Sequence, residues 1–134
     1  MLQTAVILAA GVGSRMRRLN APATLTSPQK AMADSGNKAL IPFERPFLDY
    51  TLGALADAGF RRVCVVVSPS QTALSAHCEG LETARLTIEM VKQQEPRGTA
   101  DAVRAAEFAV ATESEFAVLN GDNYYSLEVL KALR

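Results

Sequence analysis

Two short stretches of the chain run on as near-continuous apolar residues behind a polar first position. They are Thr4–Ala9 (TAVILA) and Arg62–Val67 (RVCVVV), both rich in β-branched residues. Runs of this kind suit short strands covered on both faces, as in a parallel sheet. Leu86–Lys92 (LTIEMVK) alternates apolar and polar positions and predicts a third strand, and Glu115–Asn120 (EFAVLN) a fourth. Helical spacing fills the intervals. Leu48, Leu52, Leu55 and Ala56 share one face ahead of the stop at Gly59, and Ala102, Val103, Ala106 and Val110 form a second stripe after Gly98. Ser70–His77 carries a weaker helical pattern. Ser126 is placed to cap a last helix bearing Leu127, Leu130 and Leu133.

Strands alternating with helices predict an α/β fold, a Rossmann-like parallel sheet with helices on both faces. Right-handed crossovers favour the order 3-2-1-4, with the winding reversing beside strand 1. Ligands in such sheets bind at the carboxyl ends of the strands that flank the reversal. That singles out Ala10–Arg18 after strand 1 and Gly121–Tyr125 after strand 4. Residues 17–37 hold Pro22, Pro28 and Gly36 and no sustained period, and are expected to form a long mobile loop. The 134 residues are expected to form one domain.

Composition narrows the function. Fourteen Lys and Arg balance fourteen Asp and Glu. A zero net charge argues against a nucleic-acid or anionic-membrane binder. No apolar run approaches the roughly 18–20 residues of a membrane span. The apolar start lacks a signal peptide's basic flank, so a cytoplasmic location is expected. Cys64 and Cys78 suit no metal or disulfide pattern, and Cys64 reads as a small buried hydrophobe. His77 has no evident partner and reads as a surface residue. Tyr124 and Tyr125 read as packing or rim residues. Arg61-Arg62 and Arg17-Arg18 read as solvated pairs, with a phosphate contact as the alternative for Arg17 or Arg18, and the methionines as core filler.

Four segments carry candidate chemistry. The first is Leu8-Ala-Ala-Gly-Val-Gly-Ser-Arg-Met16. Gly11 and Gly13 let backbone N–H groups approach an anion, and Arg15 can clamp a phosphate with its forked donors. Met16 stands where a dinucleotide fingerprint needs its third glycine, and no G-K-[ST] element is present, so neither a Rossmann oxidoreductase nor a P-loop fits. The second segment is Lys38-Ala-Leu-Ile-Pro42. The third is Gln93-Gln-Glu-Pro-Arg-Gly-Thr-Ala100, where the Gln93 amide could read a base edge and Gly98 opens a helix. The fourth is Asn120-Gly-Asp-Asn123, whose Asp122 carboxylate suits Mg²⁺.

Taken together, these segments resemble the nucleotidyltransferases that make nucleotide-sugars. Leu8–Met16 resembles that family's opening signature L-A-A-G-x-G-S/T-R-M. Lys38–Pro42, continuing as Pro46-Phe-Leu-Asp-Tyr50, resembles its K-x-L-x-P element. Gln93 with Gly98-Thr99-Ala100 resembles its base-reading segment, and Gly121-Asp122 its metal acid.

The resemblance implies transfer of an NMP group from an NTP, UTP or dTTP by expectation, to a sugar-1-phosphate with release of pyrophosphate. It implies nucleotide contacts by Leu8, Ala9, Ala10, Gly11, Gly13, Ser14, Arg15, Gln93, Gly98 and Thr99. Arg15 would take the leaving phosphates, Lys38 the α-phosphate, and Asp122 the Mg²⁺. Lys30 is the rival lysine; the match of Leu40, Pro42 and Pro46 favours Lys38. Family domains are longer, so the chain is expected to be the N-terminal nucleotide-binding portion of an enzyme and inactive alone. The alternatives are a cytidylyl- or molybdopterin-type nucleotidyltransferase, or a non-catalytic nucleotide-binding regulatory module.

Overall fold

A computed structural model describes residues 1–11, 26–34, 38–81 and 83–134. Four strands form the main sheet: β1 (Thr4–Leu8), β4 (Arg62–Val67), β5 (Thr87–Lys92) and β6 (Ala117–Asn120). Their order is β5-β4-β1-β6 and every pairing is parallel, which is the expected 3-2-1-4 arrangement. A small antiparallel pair, β2 (Pro42–Phe43) and β3 (Arg45–Pro46), stands apart from it. The reversal between β2 and β3 runs through Glu44 at φ 74, a backbone angle with no sequence signature here.

The continuous apolar runs are explained by two cores. Ala5 and Ile7 of β1 face one side with Val63, Val65 and Val67 of β4; Val6 faces the other with Cys64 and Val66. The larger core takes Leu48, Leu52, Leu55 and Ala56 from α2 (Phe47–Ala58), Leu74 and Cys78 from α3 (Thr72–Glu79), and Leu130 from α6 (Leu127–Leu133). The smaller takes Ala102, Ala106 and Val110 from α4 (Thr99–Ala105), α5 (Glu107–Val110) and the joint between them. Three of the four positions of the expected stripe thus reach this core across a break at Ala106, and Val103 stays half-buried outside it. The edge strand β6 alternates, with Ala117 and Leu119 buried and Val118 exposed.

Helix ends follow local chemistry. Gly59, at φ 97, closes α2: its N–H donates to Ala56 O and that of Phe60 to Leu55 O. This left-handed cap needs glycine. Ser126 caps α6, its Oγ accepting from Val129 N at 3.4 Å.

Four expectations need correction. Part of the segment read as loop, Ser27–Asp34, is a helix, α1, anchored by Gln29 Nε2 donating to Pro42 O at 2.9 Å. A tertiary partner, not periodicity, holds it. His77 is not a lone surface residue: its Nε2 lies 2.6 Å from Asp49 Oδ1, joining α3 to α2. Arg62 is not simply solvated. It donates to Glu89 at 3.1 Å, Glu113 at 3.0 Å and Ala109 O at 3.0 Å, tying β4 to β5 and to α5. The Glu89 hydrogen bond is the largest influence holding its guanidinium pKa up. Met1 is exposed, whereas Met32 and Met90 pack against the core. Cys64 and Cys78 are both buried free thiols, and desolvation pushes each up to about 11. No described helix is long and apolar enough to cross a membrane.

Candidate functional site

Parallel pairing brings the ends of β1 and β6 side by side. Gly121 N donates to Leu8 O at 2.9 Å, so the two turns leave the sheet in contact, while Ala9 N donates to Val66 O of β4 on the other side, also at 2.9 Å. A Cβ on Gly121 would lie 2.9 Å from Leu8 O and 3.3 Å from Ala9 Cα. Only glycine permits this approach, and it sets Asp122 against the start of the Ala10–Gly11 turn. The hydroxyl of Tyr125 braces the other side, accepting from Asn120 N at 2.9 Å. Tyr124 is exposed.

Lys38 enters from a single 3-10 turn, Lys38–Leu40, whose Ala39 and Leu40 are buried in the larger core. Its Nζ lies 3.5 Å from Asp122 Oδ2; the lysine side chain is 13% exposed and the aspartate 44%. At 3.5 Å, and with the carboxylate half open to water, the pair is a loose one. Phosphate oxygens or a cation can therefore exchange into it cheaply. Leu8, Ala9, Gly11, Lys38, Gly121 and Asp122 share one small cleft. Lys30 is exposed on α1.

Next to it lies a larger cavity of about 270 Å³ between the Ala10–Gly11 turn and the start of α4, lined by Leu8, Gln93, Pro96, Gly98, Thr99 and Asp122 among others. Gln93, after β5, is held by its N–H donating to Val67 O at 2.8 Å. Its side chain is 7% exposed, and Nε2 donates to Asp101 Oδ2 at 2.9 Å and to Gly98 O at 3.2 Å. Gly98 has φ 98 and ψ −179, a conformation closed to side-chain-bearing residues, and it opens α4.

All but three of the residues singled out from the sequence thus meet at one sheet edge. Gly13, Ser14 and Arg15 lie outside the described residues, as do Arg17 and Arg18. Two supporting residues had no sequence signal. Gln71, buried, donates through Nε2 to Ala9 O at 2.8 Å and accepts from Ser68 N at 2.8 Å, tying the turn after β1 to the loop after β4. Asp101 is the other. Among the described residues no group of three or more His, Cys, Asp or Glu is gathered to hold a metal.

This edge, with its glycine turn, cation and carboxylate at the switch of a parallel sheet, defines an α/β protein of Rossmann-like type. The chain belongs to the nucleotidyl transferase family, whose model matches residues 4–134. It is 37% identical over 123 residues to the bifunctional protein GlmU of Hyphomonas neptunium, covering 90% of this chain and 23% of that protein. It is 36% identical over 121 residues to the mannose-1-phosphate guanylyltransferase catalytic subunit beta of Drosophila melanogaster, covering 88% of this chain and 29% of the relative. The fold is shared with a UDP-glucose pyrophosphorylase from Acinetobacter baumannii at a TM-score of 0.70 and 21% identity, over 91% of this chain and 46% of that one. The chain therefore spans less than a third of the two relatives' lengths.

Proposed function

We propose that this edge binds a nucleoside triphosphate with Mg²⁺ and serves nucleotidyl transfer to a sugar-1-phosphate. The observation that carries this reading is the weak Lys38–Asp122 pair, 3.5 Å apart across the cleft beside Gly11. The relatives' names support the reaction class, one being a mannose-1-phosphate guanylyltransferase and the fold neighbour a UDP-glucose pyrophosphorylase.

In the reaction a phosphate oxygen of the sugar-1-phosphate forms a bond to the α-phosphorus. The bond from that phosphorus to the β-bridging oxygen breaks, and pyrophosphate leaves with the electron pair. No protein nucleophile is needed, so positioning and charge neutralisation dominate. Lys38, rather than Lys30, neutralises the α-phosphate. Arg15 takes the leaving phosphates. Backbone groups of Ala10, Gly11 and Gly13 would hold the base and phosphates, with Leu8, Ala9 and Ser14 as further nucleotide contacts. Gln93, Gly98 and Thr99 receive the base, with UTP or dTTP preferred. Asp122 would hold Mg²⁺. One carboxylate fits that ion when triphosphate oxygens and water complete its shell, and the bound cation would neutralise developing charge. Two unpaired buried thiols suit a reducing, cytoplasmic setting.

The test is ligand-dependent thermal stability of the full chain. Binding at a hundredfold excess over Kd adds about 2.7 kcal/mol, or a Tm rise of about 10 °C at this size. Arg15→Ala and Lys38→Ala should remove most of it. Asp122→Ala removes a charge that repels phosphate, so it should abolish the Mg²⁺ dependence without weakening metal-free binding. No shift with any NTP and Mg²⁺ would overturn the reading.

A further inference from the structure

Gln93 is almost buried, yet its amide is not free to choose how it faces a ligand. Nε2 is committed to two acceptors, Asp101 Oδ2 at 2.9 Å and Gly98 O at 3.2 Å. Neither acceptor can become a donor: an ionised carboxylate and a backbone carbonyl offer only lone pairs. Turning the amide over would set Oε1 against both of them. Asp101 stands behind Gln93, on the groove it shares with Arg97 and Arg104, and does not line the cavity that Gln93 shares with Gly98 and Thr99. It therefore acts through Gln93 and touches no nucleotide.

We propose that Asp101 is a positioning residue that locks the Gln93 amide so that it presents only an acceptor, Oε1, restricting the site to bases that carry a ring N–H on their pairing edge. The inference rests on the reading of this cavity as the base site. Uracil and thymine carry that hydrogen at N3 and guanine at N1. Cytosine N3 and adenine N1 carry a lone pair there and would meet Oε1 lone pair to lone pair. The site so defined takes UTP, dTTP or GTP and discriminates against CTP and ATP. Gly98 contributes through its backbone alone: φ 98 aims its carbonyl at both Gln93 Nε2 and Ala102 N, the latter at 3.1 Å.

The experiment measures binding of UTP, GTP, CTP, ATP, 3-methyl-UTP and 1-methyl-GTP with Mg²⁺ to the full chain and its variants. In the wild type UTP or GTP should bind at least about tenfold more tightly than its own N-methyl analogue and than CTP or ATP, the cost of one unmatched buried partner. Asp101→Leu frees the amide, and the ratio of parent to methylated nucleotide should fall to within about threefold. Asp101→Asn offers a donor as well as an acceptor, so only Gly98 O still opposes a turned amide, and the ratio should fall between those of the wild type and Asp101→Leu. A merely structural role would weaken parent and analogue alike and leave the ratio intact. Asp101→Ala gives the same reading if leucine unfolds α4. If no nucleotide binds the wild type, the base site itself is misplaced. If nucleotides bind but methylation is harmless, CTP or ATP binds as well, or the ratio survives Asp101→Leu and Asp101→Ala, the inference is overturned while the site stands.

Discussion

Substituting Gly121 by alanine tests the close approach on which the whole edge depends. Two effects of opposite sign compete. Gly121 does not have the left-handed backbone of Gly59 and Gly98, so alanine fits its conformation. By itself that change would stabilise the protein by roughly 0.4–1 kcal/mol, through the unfolded chain. The new Cβ, however, would stand 2.9 Å from Leu8 O and 3.3 Å from both Ala9 Cα and Ala9 Cβ. The first neighbour is backbone in a parallel ladder and cannot swing away. Relieving such an overlap typically costs about 1–3 kcal/mol. The contact wins, and the net loss should be about 1–2 kcal/mol, or a Tm lowered by roughly 4–8 °C. Gly53→Ala is the control. It lies exposed within α2 with nothing inside 4 Å of the added carbon, and should raise stability by about 0.5–1 kcal/mol. Relief of the overlap also moves the turn carrying Asp122, and a shift near 1 Å is enough to spoil positioning. Gly121→Ala should then lose the Mg²⁺-dependent part of nucleotide stabilisation beyond its own stability cost. Urea melts with and without nucleotide measure both. A Gly121→Ala protein as stable as the wild type, alongside a stabilised Gly53→Ala, would refute the close approach.

The buried thiols give a pH prediction. Cys64 and Cys78 titrate from 9.0 up to about 11, with desolvation the largest cause in each. Between these values the folded protein keeps protons that the unfolded chain releases. Their contribution is therefore whole below pH 9 and falls as pH rises towards 11, on the order of 2 kcal/mol per thiol. Urea melts at pH 8 and 10.5 on wild type and on Cys64→Ala/Cys78→Ala should show this part of the loss in the wild type only. Thr4 Oγ1 is the buried side-chain polar atom that finds no partner among the described residues. Thr4→Val keeps the shape and removes the orphan, and should raise stability by about 1 kcal/mol in chemical denaturation; a destabilised variant would mean the hydroxyl is satisfied.

Much of this protein was legible because the deciding forces are local or periodic. A near-continuous apolar strand can be stable only with both faces covered, so TAVILA and RVCVVV already called for a parallel sheet between helices. The sheet order followed from the handedness of its crossovers. Gly11, Gln93, Gly98 and Asp122 stood out because glycine turns and polar residues at strand ends are exceptions to an apolar pattern, whereas Lys38 stood out only through the resemblance of Lys38–Pro42 to a family motif. Tertiary structure decided whatever depended on a partner far along the chain. Ser27–Asp34 has no helical stripe and is held through Gln29 and Pro42. His77 meets Asp49 across 28 residues, and Gln71 reaches Ala9 across 62. Side-chain hydrogen bonds have no period, so such pairs leave no trace in hydropathy. The same holds at the site. Nothing in the sequence says that Asp122 stands beside Lys38, or that the carboxylate of Asp101 turns Gln93 into a pure acceptor. Those relations come from which turns the parallel ladder sets side by side, and the ladder forms only when the whole sheet does.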